Sequence, residues 1–363
     1  MKNSFGNALT ITLFGESHGD YIGAVLDGLA PGIKIDQDYI STRLALRRPT
    51  GKISTARVEA DEYSIVSGVF NGYTTGTPLC ILIPNANKKS SDYGEALDIP
   101  RPGHADFAAR EKYHGYEDFR GGGHFSGRVT AALVVAGAIV GSALESKGIK
   151  IGSHITELHG AFDRPFDNLE EDIALLATKQ FPTLADEGKM VKEIEKAQEK
   201  GESVGGILES AVIGLPAGLG EPWFDSMESM LSHGLFSIPG VKGVEFGLGF
   251  AFADVYGSEG NDAFLIEDGR VVTKTNNNGG INGGITNGMP LIFRTVIKPT
   301  PSIFKAQESV SLSKMENRVL EIKGRHDPAI IHRARAVVDA VAALVIADML
   351  TARYGTDYLA ERK

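Results

Sequence analysis

Four imidazoles lie in stretches that read as loops. His18 is in FGESHG, His104 in RPGHAD close to Arg101, His124 in RGGGHFSGR between Arg120 and Arg128, and His326 in KGRHDP between Arg325 and Asp327. An imidazole changes charge near neutrality and can give or take a proton there. Arginine on a stiff loop offers a two-point grip on carboxylate or phosphate. Arg47-Arg48-Pro49 adds a basic pair at the end of a helical pattern. The combination suits proton transfer on an anionic small molecule held by several converging loops. The plain alternative for each arginine is a surface salt bridge.

Other chemistries compete for the same residues. Gly15-Glu16-Ser17-His18-Gly19 fits G-x-S-x-G and follows a strand-like run, so Ser17 is a candidate hydrolase nucleophile. A nucleophile elbow needs a helix after the turn, and here DYIGAVLDG reads as another strand. A hairpin that merely exposes a Ser-His pair is the plainer reading. Metal ligation finds no H-E-x-x-H, no H-x-H and no cysteine pair, and His326 and His332 are six apart, off one helical face. No metal is expected. His114, His154, His159, His233 and His332 read as ordinary. There is no P-loop, and GGGHFSG misses the dinucleotide fingerprint in spacing. NNNGGINGGITNG (276–288) offers backbone N–H groups as an anion nest, and KPTPS (298–302) pairs a lysine with a rigid turn. Both are equally readable as simple turns.

Bulk properties narrow the class. The chain has 363 residues, 42% hydrophobic and 23% charged, an ordinary globular composition. Its net charge of -9 makes it a poor nucleic-acid binder, although clustered arginines can still hold an anion. Cys80 is the single cysteine, so an intramolecular disulfide is excluded and a reducing, cytoplasmic setting is expected. The N-terminus has no signal-peptide pattern, and the longest apolar run, 130–144, is short for a membrane span and broken by glycine. No membrane partner is expected.

The elements that must position these residues follow from periodicity. Strands are expected at 8–14, 21–27, 62–70, 78–83, 203–214, 241–255 and 291–297, and helices at 36–47, 105–114, 129–146, 168–180, 185–200, 223–233 and 330–354. The stretch 276–288 reads as a loop without regular structure. Helices 129–146 and 330–354 are apolar nearly all round, so each is expected to be buried on all sides. The fold class expected is α+β, a layered sandwich with central apolar helices between antiparallel sheets. Each central helix follows a glycine- and arginine-bearing loop, which hints at an internal duplication. No linker divides the chain, so one domain over 1–363 is expected, with an exposed helical insertion at about 185–201.

FGESHG, LDGLAPG, RRPTGK, SGVFNGYTTGTP, RPGHADF, RGGGHFSGR, VKGVEFG, NGGITNG, KPTPS and GRHDP fall in order along the chain, and together they resemble the chorismate synthase family over roughly 4–353. The resemblance implies a lyase of the shikimate pathway. Its reaction is a 1,4-anti elimination of phosphate from 5-enolpyruvylshikimate 3-phosphate to give chorismate, with reduced FMN required but no net redox change. Carried over by position, His18 is implied as the acid near the leaving phosphate, His104 as the residue that keeps the reduced flavin suitably protonated, and Asp327 as the carboxylate that relays the substrate proton. Arg47, Arg48 and Arg128 are implied at the substrate's anionic groups. His124, Phe125, Ser126, Pro239, Gly240, Gly283, Lys298, Pro299, Thr300, Pro301, Ser302 and Arg325 are implied at FMN. Homotetramers are usual in the family. Some members reduce their own flavin with NAD(P)H; without a dinucleotide fingerprint, an external reductant is expected here. Two departures fall near the flavin. Where the family usually reads GGGR-x-S-A-R-E, this chain has His124 for the first arginine and Val129 for the glutamate, and the NHAGG loop lacks its histidine. A same-fold binding protein without turnover and a serine hydrolase through Ser17 are the rival readings.

Overall fold

A computed structural model describes residues 2–49, 51, 53–54, 61–85, 98–322 and 326–360. Two five-stranded antiparallel sheets enclose the helices. The first runs, in spatial order, Ser4–Phe5, Thr10–Gly15, Tyr21–Asp27, Leu79–Pro84 and Ser64–Ser67. The second runs Val241–Phe246, Leu291–Ile297, Gly206–Ile213, Lys150–Leu158 and Ala161–Phe162. The helices are α1 Gln37–Arg47, α2 Asp106–Tyr113, α3 Thr130–Ser146, α4 Leu169–Leu176, α5 Gly188–Glu199, α6 Met227–Leu235, the short α7 Gly257–Gly260 and α8 Ile331–Tyr354.

α3 lies against Tyr21–Asp27 and Leu79–Pro84 of the first sheet, and α8 against Lys150–Leu158 and Gly206–Ile213 of the second. The layers are therefore sheet, helix, helix, sheet, the α+β sandwich that the two apolar helices predicted. Ala and Val dominate both helices because each must bury its whole circumference. Close approach depends on Gly137, where an added β-carbon would sit 2.4 Å from Cβ of Ala340. One apolar cluster runs from Leu9 to Ala360 and takes side chains from both sheets. The segment Gly127–Ser146 has the length and apolarity of a membrane span, but it is mostly buried between these layers.

Several expected elements shift. The strand expected at 241–255 ends at Phe246, and a 3-10 turn, Gly249–Asp254, follows. The helix expected from 223 starts at Met227, because the Ser226 hydroxyl caps it by accepting from Ser229 N. The loop 276–288 carries a small hairpin, Ile281–Asn282 with Ile285–Thr286. Lys150–Leu158 and the hairpins Phe264–Glu267/Arg270–Thr273 and Gln307–Ser311/Glu316–Leu320 were not anticipated. In the stretch expected as an exposed insertion, α5 buries Met190, Ile194 and Ala197 on one face and exposes charge elsewhere.

Candidate active site

His18 sits in a tight turn, Glu16 to Gly19, closed by Gly19 N donating to Glu16 O at 3.0 Å. The turn joins two antiparallel strands paired from Thr10↔Asp27 to Gly15↔Ile22. No helix follows Ser17, so the nucleophile-elbow reading is overturned. The turn is nevertheless buried, with His18 only 4% exposed, because the RGGGHFS loop covers it. Ser17 N donates to Gly123 O at 3.0 Å, and Nδ1 of His124 lies 2.8 Å from Gly15 O. A carbonyl only accepts, so Nδ1 of His124 carries a proton and donates it to Gly15 O.

Three successive glycines with positive φ make this covering possible: Gly121 (61°), Gly122 (86°) and Gly123 (54°). A β-carbon on Gly121 would lie 2.3 Å from Cε1 of His18, and one on Gly122 would lie 3.3 Å from Nε2 of His104. The two histidines thus flank one glycine step, although 86 positions apart in sequence (104 − 18). His104 is oriented by Asp106, whose Oδ1 is 2.5 Å from its Nδ1. Asp106 also accepts from Arg101 Nε at 2.7 Å and Nη2 at 2.8 Å. Burial opposes ionisation of Asp106, but the hydrogen bonds from Arg101 and His104 outweigh it and hold this carboxyl well below its ordinary range. Asp118 is likewise held low, first by its hydrogen bond from Arg120 and in smaller part by His18.

Some of the stretches implied at FMN are joined to one another: Lys298 N donates to Gly240 O at 2.9 Å, and Lys298 Nζ donates to Gly103 O at 2.5 Å, beside His104. Pro301 packs 3.6 Å from where a β-carbon on Gly103 would be. Thr300 Oγ1 donates to Asp327 O at 2.8 Å and so fixes the loop before α8. Pro239 is exposed beside Gly240, Pro299 lies between Lys298 and Thr300, and Ser302 follows Pro301. Phe125 meets Tyr113 edge-on, and Ser126 caps the short turn Gly127–Val129. Gly283 is exposed, with open space where a β-carbon would lie. Arg325 lies outside the described residues.

The arginines implied at the substrate are more committed than their sequence suggests. Arg47 donates to Asp61 Oδ2 and Thr130 Oγ1, each at 3.0 Å, and to Gly127 O at 2.8 Å. Arg128 pairs with the other oxygen of Asp61 and donates to Asn85 Oδ1 at 3.0 Å and Pro84 O at 3.1 Å. Arg48 ends α1, and its carbonyl accepts from Gln180 Nε2 at 3.2 Å. Asp61, Asn85 and Asp106 are not among the residues that the sequence points to. Only Asp106 had a local signal, two positions after His104.

An open cleft adjoins the glycine step. Its walls include His104, Gly122, Phe119 and Phe125. Oε2 of Glu117, also on the wall, is buried without a hydrogen-bond partner among the described residues. An aromatic wall, an imidazole, an orphaned acceptor and a nearby lysine fit a flavin, with its flat ring, N–H and hydroxyl donors, and phosphate.

The family model for chorismate synthase matches residues 9–351. Chorismate synthases of Thermococcus gammatolerans and Pyrococcus abyssi are each 48% identical over 351 residues, covering 96% of this chain and 97% of theirs. A crystal structure of chorismate synthase superposes with a TM-score of 0.74 at 28% identity, covering 98% of this chain and 95% of that one. With its layers, glycine step and paired histidines, the chain belongs to the chorismate synthase family.

Proposed function

We propose that this chain converts 5-enolpyruvylshikimate 3-phosphate to chorismate and phosphate, with His18, His104 and Asp327 carrying the proton chemistry beside reduced FMN. The observation that supports this most is the glycine step, which places His18 and His104 on either side of one backbone turn. His18 gives a proton to the departing phosphate oxygen, neutralising charge as the C–O bond breaks. Asp327 takes the substrate proton onward. His104, oriented by Asp106, serves the protonation of the bound cofactor. Reduced FMN would supply electron density as the phosphate leaves. His124 to Ser126, Pro239-Gly240, Gly283, Lys298 to Ser302 and Arg325 would hold it, Lys298 suiting its phosphate. Arg47, Arg48 and Arg128 give the substrate side of the site its positive field, Arg47 and Arg128 from positions set by Asp61. An external reductant maintains the flavin.

We read the protein as cytoplasmic and tetrameric. Exposed Phe250, Tyr256, Phe264 and Ile266, each more than two-thirds accessible, supply apolar surface that assembly would cover. Light scattering at micromolar concentration tests the tetramer.

The activity is tested anaerobically with FMN, dithionite and substrate, following chorismate absorbance and phosphate release. Turnover with reduced flavin and none with oxidised flavin is expected. Bound substrate and flavin without turnover would instead make this a binding protein of the same fold.

A further inference from the structure

We propose that Asp61 is a positioning residue of the active site, the middle of one hydrogen-bonded chain that sets the His18 turn relative to Asp327. The inference rests on the reading of those two residues as the phosphate acid and the proton relay.

The chain can be followed link by link. Asn85 Nδ2 donates to the carbonyls of Glu16, at 3.0 Å, and Gly19, at 2.9 Å, and so clamps the turn that presents His18. Asn85 Oδ1 accepts from Arg128 Nε at 3.0 Å. The guanidinium of Arg128 pairs with Oδ1 of Asp61, and Oδ2 of Asp61 accepts from Arg47 Nη1 at 3.0 Å. The carbonyl of Arg47 accepts from Arg333 Nε at 2.9 Å, and Arg333 Nη1 donates to Asp327 Oδ2 at 2.7 Å. Six separate parts of the sequence, at 16–19, 47, 61, 85, 128 and 327–333, are joined in this way.

Asp61 is the only carboxylate in the middle of this path, and its side chain is 1% exposed. A carboxylate so placed is stable only because two guanidiniums face it. Its backbone is also unusual, a non-glycine residue at φ 50°, so the chain conformation is set to aim this one side chain. The planar forks of Arg47 and Arg128 turn its two oxygens into fixed directions, one towards each half of the site. A network of fully paired buried groups holds geometry more tightly than apolar contacts, and proton transfer is sensitive to displacements of about 1 Å.

The test is Asp61→Asn, with Asn85→Ala and Arg333→Ala as the outer links and Arg294→Gln as a control. Arg294 forms a 2.7 Å ion pair with Glu245 in the second sheet, off this chain. Rates are normalised to folded sites. We expect kcat to fall about 30- to 100-fold in Asp61→Asn, with KM unchanged or lower, because two guanidiniums lose their counter-charge against an anionic substrate. The outer-link variants should fall similarly, Arg333→Lys should recover part of the loss, and the control should retain wild-type kcat. A second readout needs no turnover. The His18 resonance of ¹³C-histidine protein, assigned by its loss in His18→Gln, should move in Asp61→Asn and Asn85→Ala. A folded Asp61→Asn protein with kcat within twofold of wild type, or an unmoved His18 resonance, overturns the proposal. If the wild type has no activity, the reading of function fails while the resonance still decides the chain. If Asp61→Asn does not fold, the two outer-link variants decide it.

Discussion

Gly121 and His18 are packed so closely that a β-carbon on the glycine would lie 2.3 Å from Cε1 of the imidazole. Gly121 also has φ 61°, a region costing a side chain about 1–2 kcal/mol. Gly121→Ala should therefore fold with reduced stability and lose about 100-fold in kcat as His18 is displaced. Gly127→Ala, with nothing within 4 Å of its ideal β-carbon, should stay within about 0.5 kcal/mol of wild type and keep its activity. Steady-state rates with urea unfolding check the pair.

His124 stands where the family usually has arginine, and its Nδ1–H is given to Gly15. His124→Ala is expected to weaken reduced-FMN binding about tenfold, the scale of one hydrogen bond, without unfolding the chain. Anaerobic flavin titration measures this, and unchanged affinity would remove His124 from the flavin site.

His154 is fully buried between Asp163 and Glu209, each 3.1 Å from a ring nitrogen, with Phe166 packed edge-on. Arg294 lies beyond Glu209, at 3.9 Å. Burial opposes the imidazolium, but the two carboxylates outweigh it and raise the histidine above its ordinary 6.5. A raised folded value means stability that is complete below the unfolded value of about 6.5 and is lost as pH rises from there through the higher, folded value. Asp163 acts oppositely: burial alone would raise its carboxyl, the hydrogen bonds from His154, Leu184 and Ala185 lower it, and its contribution fades as pH falls below 3.8. His154→Gln should cost about 2 kcal/mol at pH 5.5 and clearly less at pH 8.5. A cost that rises instead between pH 5.5 and pH 8.5 would show that His154 is buried neutral.

Gly137 allows α3 to touch α8. Gly137→Ala should gain about 1 kcal/mol in helix propensity, yet lose more to the 2.4 Å clash with Ala340, for a net loss of about 1–2 kcal/mol. Denaturant unfolding will show it. A stabilised variant would mean that the helices can move apart at no cost.

Much of this was legible in the sequence because the chemistry lies on short glycine- and proline-marked loops. FGESHG, RPGHAD and RGGGHFSGR each carry their own turn geometry, and α3 and α8 declare their burial by lacking a polar face. Asp61, Asn85 and Arg333 could not be read this way, since their partners are distant in sequence: Arg128 lies 67 positions from Asp61, and Arg47 lies 286 from Arg333. The strand Lys150–Leu158 was hidden because Gly152, Ser153 and His154 look like a polar interruption. Ser210 and Asp339 satisfy Ser153, and Asp163 and Glu209 satisfy His154, all from elsewhere in the chain. Arg47 and Arg128 look like free anion grips in sequence because nothing local announces the acid that binds them.

The stacking of α3 on α8 also bears on how the protein is made. α3 leaves the ribosome early, together with the first sheet, which can cover only one of its sides. Its other apolar side waits for α8, which is synthesised only after all the strands of the second sheet. Throughout translation of the second sheet the nascent chain therefore carries an uncovered, alanine- and valine-rich helix, a surface that chaperones bind and that aggregates when left alone. Completion of α8 closes the core and, through Arg333 at its start, completes the link between Arg47 and Asp327. A truncated chain is left with an exposed core and a disconnected site.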